Sequence, residues 1–212
     1  MKFNWVKTNG FVKRVYSKLV WELPNSEKKI YLTFDDGPIP EVTEWVLDLL
    51  KEEGIRATFF CIGDNIRKHP WIYNRIITEG HQTGNHTFNH LNGWKTNTTN
   101  YIENFKLSQT EHLKLNANHS FLFRPPYGKI KPSQSKIIRK LGCKIIMWDV
   151  LSYDFDATLS PEKCLENVIS NTTQGSIIVF HDSLKAAKNM KYALPKAIRF
   201  LKSKGFVFDV IS

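Results

Sequence analysis

Long apolar runs are missing from this sequence. No stretch of about 18 apolar residues occurs, which rules out a membrane-spanning helix within it. Cysteine is scarce. The three present, Cys61, Cys143 and Cys164, lie far apart and form no C-x-x-C pair. That argues against a disulfide framework and a cysteine-built zinc site, and the apolar neighbours predict buried thiols. The basic start, residues 1–21, has no apolar core of about 7–15 residues and no small-residue cleavage site. No secretory leader is read there, so a cytoplasmic location is expected. Two catalytic signatures are also missing. No G-x-G-x-x-G follows the first β-rich run, and no G-x-S-x-G marks a serine nucleophile.

What is present is an ordinary globular composition with an excess of positive charge. The 212 residues carry 30 Lys and Arg against 20 Asp and Glu, a net charge of +10. Such a surface attracts nucleic acid, anionic lipid or acidic polysaccharide. Here the excess is spread over residues 2–18, 129–144 and 185–204, and in the last two basic residues fall among apolar ones at helical spacing. No basic-aromatic recognition motif accompanies it, so no nucleic-acid partner is expected.

From residue 30 onward two kinds of segment alternate. Short β-rich runs fall at 30–34, 57–62, 82–85, 120–123, 143–147, 176–180 and 206–210. Helical periodicity fills 40–53, 66–79, 98–115, 132–141, 161–171 and 190–204, with Pro70 marking a break in the second. Pro132 and Pro161 suit first-turn positions; Gly142 and Gly205 suit C-terminal caps. Strands alternating with helices predict an α/β fold with a parallel sheet, in the form of a distorted (β/α) barrel of about seven parallel strands. Residues 1–29 read as a basic lead-in with one short helix, and 30–212 as a single domain. In a βα barrel the active site lies beyond the C-terminal ends of the strands, so functional residues should follow the β-rich runs.

They do. The first run ends in the adjacent carboxylates Asp35 and Asp36, followed by Gly37-Pro38. Like charges side by side disfavour joint ionisation, although Asp, Gly and Pro also make ordinary turns. The third run ends in His86-Thr87-Phe88-Asn89-His90. Two histidines at i, i+4 can converge on one ion, and two His with one Asp leave coordination positions open for water and substrate. The fourth ends in Arg124-Pro125-Pro126-Tyr127-Gly128. Two prolines remove two amide donors and stiffen the turn, so the Tyr127 N–H can point into the mouth as an oxyanion donor. Arg124 can pair with a buried carboxylate or cover the rim. The fifth run enters the aromatic and acidic stretch from Trp148 to Asp156. The sixth delivers His181-Asp182, a general acid or base in one reading and a capping histidine in another.

In this order the stretches 33–38, 86–90, 124–128, 148–155 and 178–182 resemble the polysaccharide deacetylase family, carbohydrate esterase family 4. That family includes chitin, chitooligosaccharide and peptidoglycan deacetylases and some acetylxylan esterases. The resemblance implies a divalent-metal hydrolase acting on an acetylated glycan, with zinc first and cobalt or nickel as alternatives. It implies Asp35 as catalytic base, Asp36, His86 and His90 as metal ligands, and Arg124 as the residue orienting the base. His181 is implied as general acid, Tyr127 as backbone oxyanion donor, and Pro125, Trp148, Phe155 and Phe180 as groove residues. One position departs. The family often has an Asp where this chain has Leu151, and the resemblance implies that this Asp tunes the acid histidine. Asp154 and Asp149 are the candidates to take over that task. An N-deacetylase is the expected activity, with an O-acetyl esterase and a non-catalytic glycan-binding domain as alternatives.

Overall fold

Strand β1 (Lys29–Asp35) is buried on both faces, as its near-continuous apolar sequence KIYLTFD demands of a central parallel strand. Ile30, Leu32 and Phe34 face the helices, while Tyr31 and Thr33 face the barrel interior. The computed structural model describes residues 5–117 and 120–212. After helix α1 (Gly10–Val15) and β1 follow α2 (Val42–Glu52), β2 (Thr58–Cys61), α3 (Gly63–Lys68), α4 (Pro70–Thr78), β3 (Gln82–Asn85) and α5 (Thr98–Leu115). Then come β4 (Leu122–Phe123), α6 (Pro132–Lys140), β5 (Lys144–Ile145), β6 (Val150–Leu151), α7 (Pro161–Ile169), β7 (Ile177–His181), α8 (Ala187–Ser203) and β8 (Val207–Phe208).

The sheet order is β5-β4-β3-β2-β1-β7-β6, with every pairing parallel. Seven strands thus curl into a half-barrel with helices outside. Two details differ from the sequence expectation. The run at 206–210 becomes β8, which pairs only with the start of β1. The seventh stave is instead β6, a two-residue strand too short to leave a period in the sequence. Pro70 splits the second helical stretch into α3 and α4, because proline has no N–H to continue the ladder. Pro132 and Pro161 occupy first-turn positions, and Gly142 and Gly205 end their helices at positive φ. All three cysteines are buried and free. No helix among the described residues is long and apolar enough to cross a membrane.

The N-terminal segment lies across the gap between the two edge strands. Val20 pairs with Ile146 beside β5, and Lys7 pairs with Val150 in β6. The buried Asp149 carboxylate fixes this strap, accepting from Lys7 Nζ (2.7 Å), Lys13 Nζ (2.6 Å) and Ser176 Oγ (2.5 Å).

Candidate functional site

Asp35 and Asp36 stand at the end of β1, at the mouth of the half-barrel. The pairing of β1 with β7 sets Asp35 beside His181 in register. Alternation along each strand then sends neighbours to opposite faces. Hence His181 reaches the mouth, whereas Phe180 is fully buried and packs toward Phe34 at a centroid distance of 6.5 Å. Phe180 is therefore a core residue and has no face for a groove, contrary to the sequence expectation.

Arg124 is a fully buried guanidinium. Its Nη1 donates to Asp35 Oδ1 at 2.7 Å and to Thr33 Oγ1 at 2.8 Å. Nη2 donates to the Met147 carbonyl at 2.9 Å, and the group lies 4.1 Å from the Phe60 ring centroid. A buried charge needs such partners, and the arrangement settles which reading of Arg124 holds: it pairs with a carboxylate and does not cover the rim. Among the described residues, Arg124 engages Oδ1 of Asp35. Oδ2 faces the histidines, 4.0 Å from His86 Nε2.

His86 is buried, and its Nδ1 lies 2.7 Å from the Arg124 carbonyl oxygen. A carbonyl can only accept, so Nδ1 carries the proton, and neutral His86 presents a bare Nε2 to the site. Burial lowers its pKa to about 4, so it is neutral at pH 7. His90 Nδ1 lies 3.1 Å from the Tyr127 hydroxyl, and its Nε2 is 3.3 Å from Asp36 Oδ1. His86 Nε2 is 3.8 Å from the same oxygen. One ligand atom from each of these three residues falls within 4.8 Å of the others. Asp36 Oδ1 is buried, yet it accepts no hydrogen bond among the described residues. Burial opposes ionisation of Asp36, but ion pairing with His90 and the fields of His181 and His86 hold it well below the usual carboxylate range. A buried anionic oxygen and a bare imidazole nitrogen facing one another call for a cation, so these residues fit a divalent metal.

The backbone is bent to make this cluster. Asp36, Thr87, His90, Tyr127 and Tyr153 all have φ between 55° and 89°. Non-glycine residues seldom adopt that region, and here the surroundings enforce it. Asn65 Nδ2 donates to the Asp36 carbonyl at 2.7 Å. Asn104 Oδ1 accepts from the Phe88 and Asn89 amides, and Asn85 Oδ1 from the Thr87 amide, clamping the loop between the histidines. Asp182 Oδ1 accepts from Gly37 N at 3.0 Å and Oδ2 from Thr43 Oγ1 at 2.6 Å. Sequence reading missed Asn65, Asn85, Asn104, Thr43 and the clamping role of Asp182. Their residue types are common in any turn; only the adjacency of Asp182 to His181 offered a signal.

Asp154 answers the question raised by Leu151. Its Oδ1 lies 2.8 Å from His181 Nδ1, and its Oδ2 accepts the His181 backbone N–H at 2.7 Å. Asp149 is committed to the N-terminal strap instead. Burial lowers the His181 pKa, but Asp154, then Asp36 and Asp35, raise it to about 9. Phe155 stands edge-on to the His181 ring at 4.9 Å. Asn189 Nδ2 donates to the Asp154 carbonyl at 3.2 Å, holding the loop on α8.

The remaining expected groove residues divide. Tyr127 is exposed, and its amide makes no hydrogen bond among the described residues. Its hydroxyl also orients His90, a task the sequence did not reveal. Trp148 is half-buried under Gly128, where a Cβ would come within 2.7 Å of the indole. Pro125 is buried and serves the turn, its carbonyl accepting from Gly128 N at 3.0 Å. Its side chain offers no surface to a groove, which corrects the expectation.

These features define a carboxylate-histidine site at the mouth of a curled α/β half-barrel, and comparison with known proteins gives the family. The polysaccharide deacetylase family profile matches residues 22–146. A peptidoglycan-N-acetylglucosamine deacetylase of Bacillus cereus is 35% identical over 196 residues, covering 92% of this chain and 91% of that protein. A chitooligosaccharide deacetylase of Azorhizobium caulinodans is 33% identical over 162 residues, covering 76% of each. A crystal structure of a peptidoglycan N-acetylglucosamine deacetylase with a bound naphthalenyl N-hydroxybenzamide superposes with a TM-score of 0.88. It is 33% identical, with 96% of this chain and 95% of that one covered. The chain belongs to the polysaccharide deacetylase family. The fold also occurs in a pseudoenzyme of carbohydrate esterase family 4 from Bacillus anthracis (22% identity, TM-score 0.80, 90% and 66% covered), so fold alone does not establish turnover.

Proposed function

We propose that this protein removes acetyl groups from N-acetylated glycans of the chitooligosaccharide or peptidoglycan type. The observation that carries the reading is the juxtaposition of a complete acid, base and ligand set. Asp35, held by Arg124, adjoins the Asp36-His86-His90 cluster and is paired in register with His181. Residues 30–212 form the catalytic domain in this reading, with the lead-in strapped to it.

Asp36, His86 and His90 would hold one divalent ion, with zinc the first choice and cobalt or nickel as alternatives. When bound, such an ion supplies Lewis-acid polarisation of the scissile carbonyl and a lowered pKa for a coordinated water. Arg124 pins one oxygen of Asp35, leaving Oδ2 to take the proton of the attacking water. Oxygen of that water bonds to the acetamide carbon, and the carbonyl electrons move onto oxygen. The free Tyr127 amide donates to that oxyanion; a donor of this kind typically contributes about 3–4 kcal/mol. His181 is protonated at neutral pH and gives its proton to the nitrogen as the C–N bond breaks, releasing acetate and a free amine. Asp154 holds the ring through Nδ1, so Nε2 is the nitrogen left to deliver that proton.

The test is acetate release from an N-acetylglucosamine tetramer beside an O-acetylated xylan. Release from the tetramer is expected. Release from the xylan alone would make the protein an O-acetyl esterase on the same site. Binding of either without release would make it a glycan-binding domain.

A further inference from the structure

Strand β6 is an edge strand of two residues, Val150 and Leu151, and both are buried. Two buried apolar residues do not tell one face of the sheet from the other. A one-residue slip against β7 would exchange Val150 for Leu151 at small hydrophobic cost, yet it would turn every following side chain over. Register matters here because the chain runs from β6 into Asp154, which grips His181 at the end of β7. The observed register sets Val150 beside Ile178 and Leu151 beside Val179. It continues to Ser152, whose N–H donates to the Val179 carbonyl at 3.1 Å.

A polar group distinguishes the registers instead. Asp149, the residue before β6, is fully buried. Its carboxylate accepts from Lys7 and Lys13 of the N-terminal strap and from Ser176 Oγ at the foot of β7. Burial opposes its ionisation, but the hydrogen bonds from Lys13, Lys7 and Ser176 hold it below the ordinary carboxylate range. A slip of β6 would take the carboxylate away from these donors, and a buried charge without partners is expensive. The strap backbone adds to the hold. Val6 O accepts from Leu151 N at 2.8 Å, Thr8 N donates to Asp149 O at 2.8 Å, and Glu22 bridges to Ser176. The strap therefore touches both β6 and the foot of β7, with Asp149 between them.

We propose that Asp149 is a register pin for β6: by holding Lys7, Lys13 and Ser176 at once it sets Asp154 behind His181, which makes Asp149, Lys7 and Lys13 positioning residues for that histidine. The proposal rests on the N-deacetylase reading above, in which His181 gives up the proton, and deepens it. The charges facing His181 are Asp154 from the loop after β6 and Asp36 and Asp35 from the end of β1, with the Phe155 ring edge-on. The strap acts on the first of these by placing it. That gives the role a sign of its own. Removing a strap lysine would, through its field alone, raise the His181 pKa, because a positive charge is lost. Removing its hold on β6 lowers that pKa, because Asp154 is no longer kept against the ring.

The experiment follows the His181 ring by NMR titration in the metal-free full chain, in Lys13→Met and in Asp149→Asn. Zinc affinity and acetate release from N-acetylglucosamine tetramer are measured beside it. In Lys13→Met the carboxylate keeps Lys7 and Ser176, so this variant holds its fold even where Asp149→Asn loses it. Ile76→Val, in the core under α4 and away from the strap, controls for general softening. The His181 midpoint, about 9 in the parent, should fall toward 6.5 in Lys13→Met. Its kcat should fall about tenfold, part of the roughly 10²–10⁴-fold that a general acid contributes, with KM and zinc affinity unchanged. Lys13→Arg should restore both the midpoint and kcat. An unchanged or raised midpoint in Lys13→Met would overturn the pin, and so would an equal fall in Ile76→Val. Tetramer binding by the zinc-loaded parent without acetate release would overturn the N-deacetylase reading, while the NMR titration would still decide the pin.

Discussion

Asp154 grips His181 at two points, its ring nitrogen and its backbone amide, at 2.8 and 2.7 Å. That double contact places a buried carboxylate directly behind the His181 ring. It follows that the Leu151 departure leaves His181 supported, and the histidine pKa is raised to about 9.

Activity should accordingly persist above neutral pH, its fall displaced upward from the ordinary histidine value by Asp154. In Asp154→Asn the limb should move down toward the ordinary histidine value of 6.5. Stability carries the same signature with a definite sign. A raised folded-state pKa contributes stability that is complete below pH 6.5 and is lost as pH rises through about 9. Thermal melts of metal-free protein should show that loss, and Asp154→Asn should flatten it. Identical pH profiles for parent and variant would detach Asp154 from this role.

Arg124 is a fully buried charge paired with Asp35. Replacing it by Met leaves Asp35 buried without its partner, and breaking such a pair costs about 3–5 kcal/mol. Denaturant unfolding of Arg124→Met should show a loss of that size. A variant as stable as the parent would mean that the buried pair contributes nothing.

Gly37 has no room for a side chain. A Cβ there would lie 1.9 Å from Asp182 Oδ2, so Gly37→Ala must displace the carboxylate that holds the Asp36 loop. Overpacking of this kind typically costs about 1–3 kcal/mol. The variant should melt lower and bind zinc more weakly in an equilibrium titration. Unaltered zinc affinity would show that the clamp does not shape the ligand cluster.

The ligand set is tested by His86→Ala and His90→Ala separately. Each should lose zinc stoichiometry on dialysis and the thermal stabilisation that zinc confers on the parent, which follows from mass action. Retention of one equivalent by both variants would place the ion elsewhere.

Much of the site was legible because the residues proposed for catalysis sit where strands end. Asp35, Asp36, His86, His90, Arg124 and His181 follow β-rich runs, and a parallel sheet gathers such ends at one mouth. The strand β6 was not legible, since two residues carry no period. Nor were the clamps. Asn65, Asn104 and Asp182 work through distance across the chain, and turn residues look alike in sequence whether they hold a loop or face water. Phe180 was misread because the motif was taken as a block. Strand alternation separates it from His181 by a full face of the sheet. The same limit hid the strap. Lys7 and Lys13 were part of a basic lead-in with no partner named, and only the fold brings Asp149 to them.

The central claim is that Asp35 works as the base beside a metal held by Asp36, His86 and His90. Its most direct test is acetate release from N-acetylglucosamine tetramer by chelator-stripped protein, with and without added zinc or cobalt, beside Asp35→Asn. The parent should be silent when stripped and active when reloaded. Asp35→Asn should bind one equivalent of metal yet turn over more slowly by about 10²–10⁴-fold. Full activity in the stripped protein, or near-parental turnover by loaded Asp35→Asn, would contradict it.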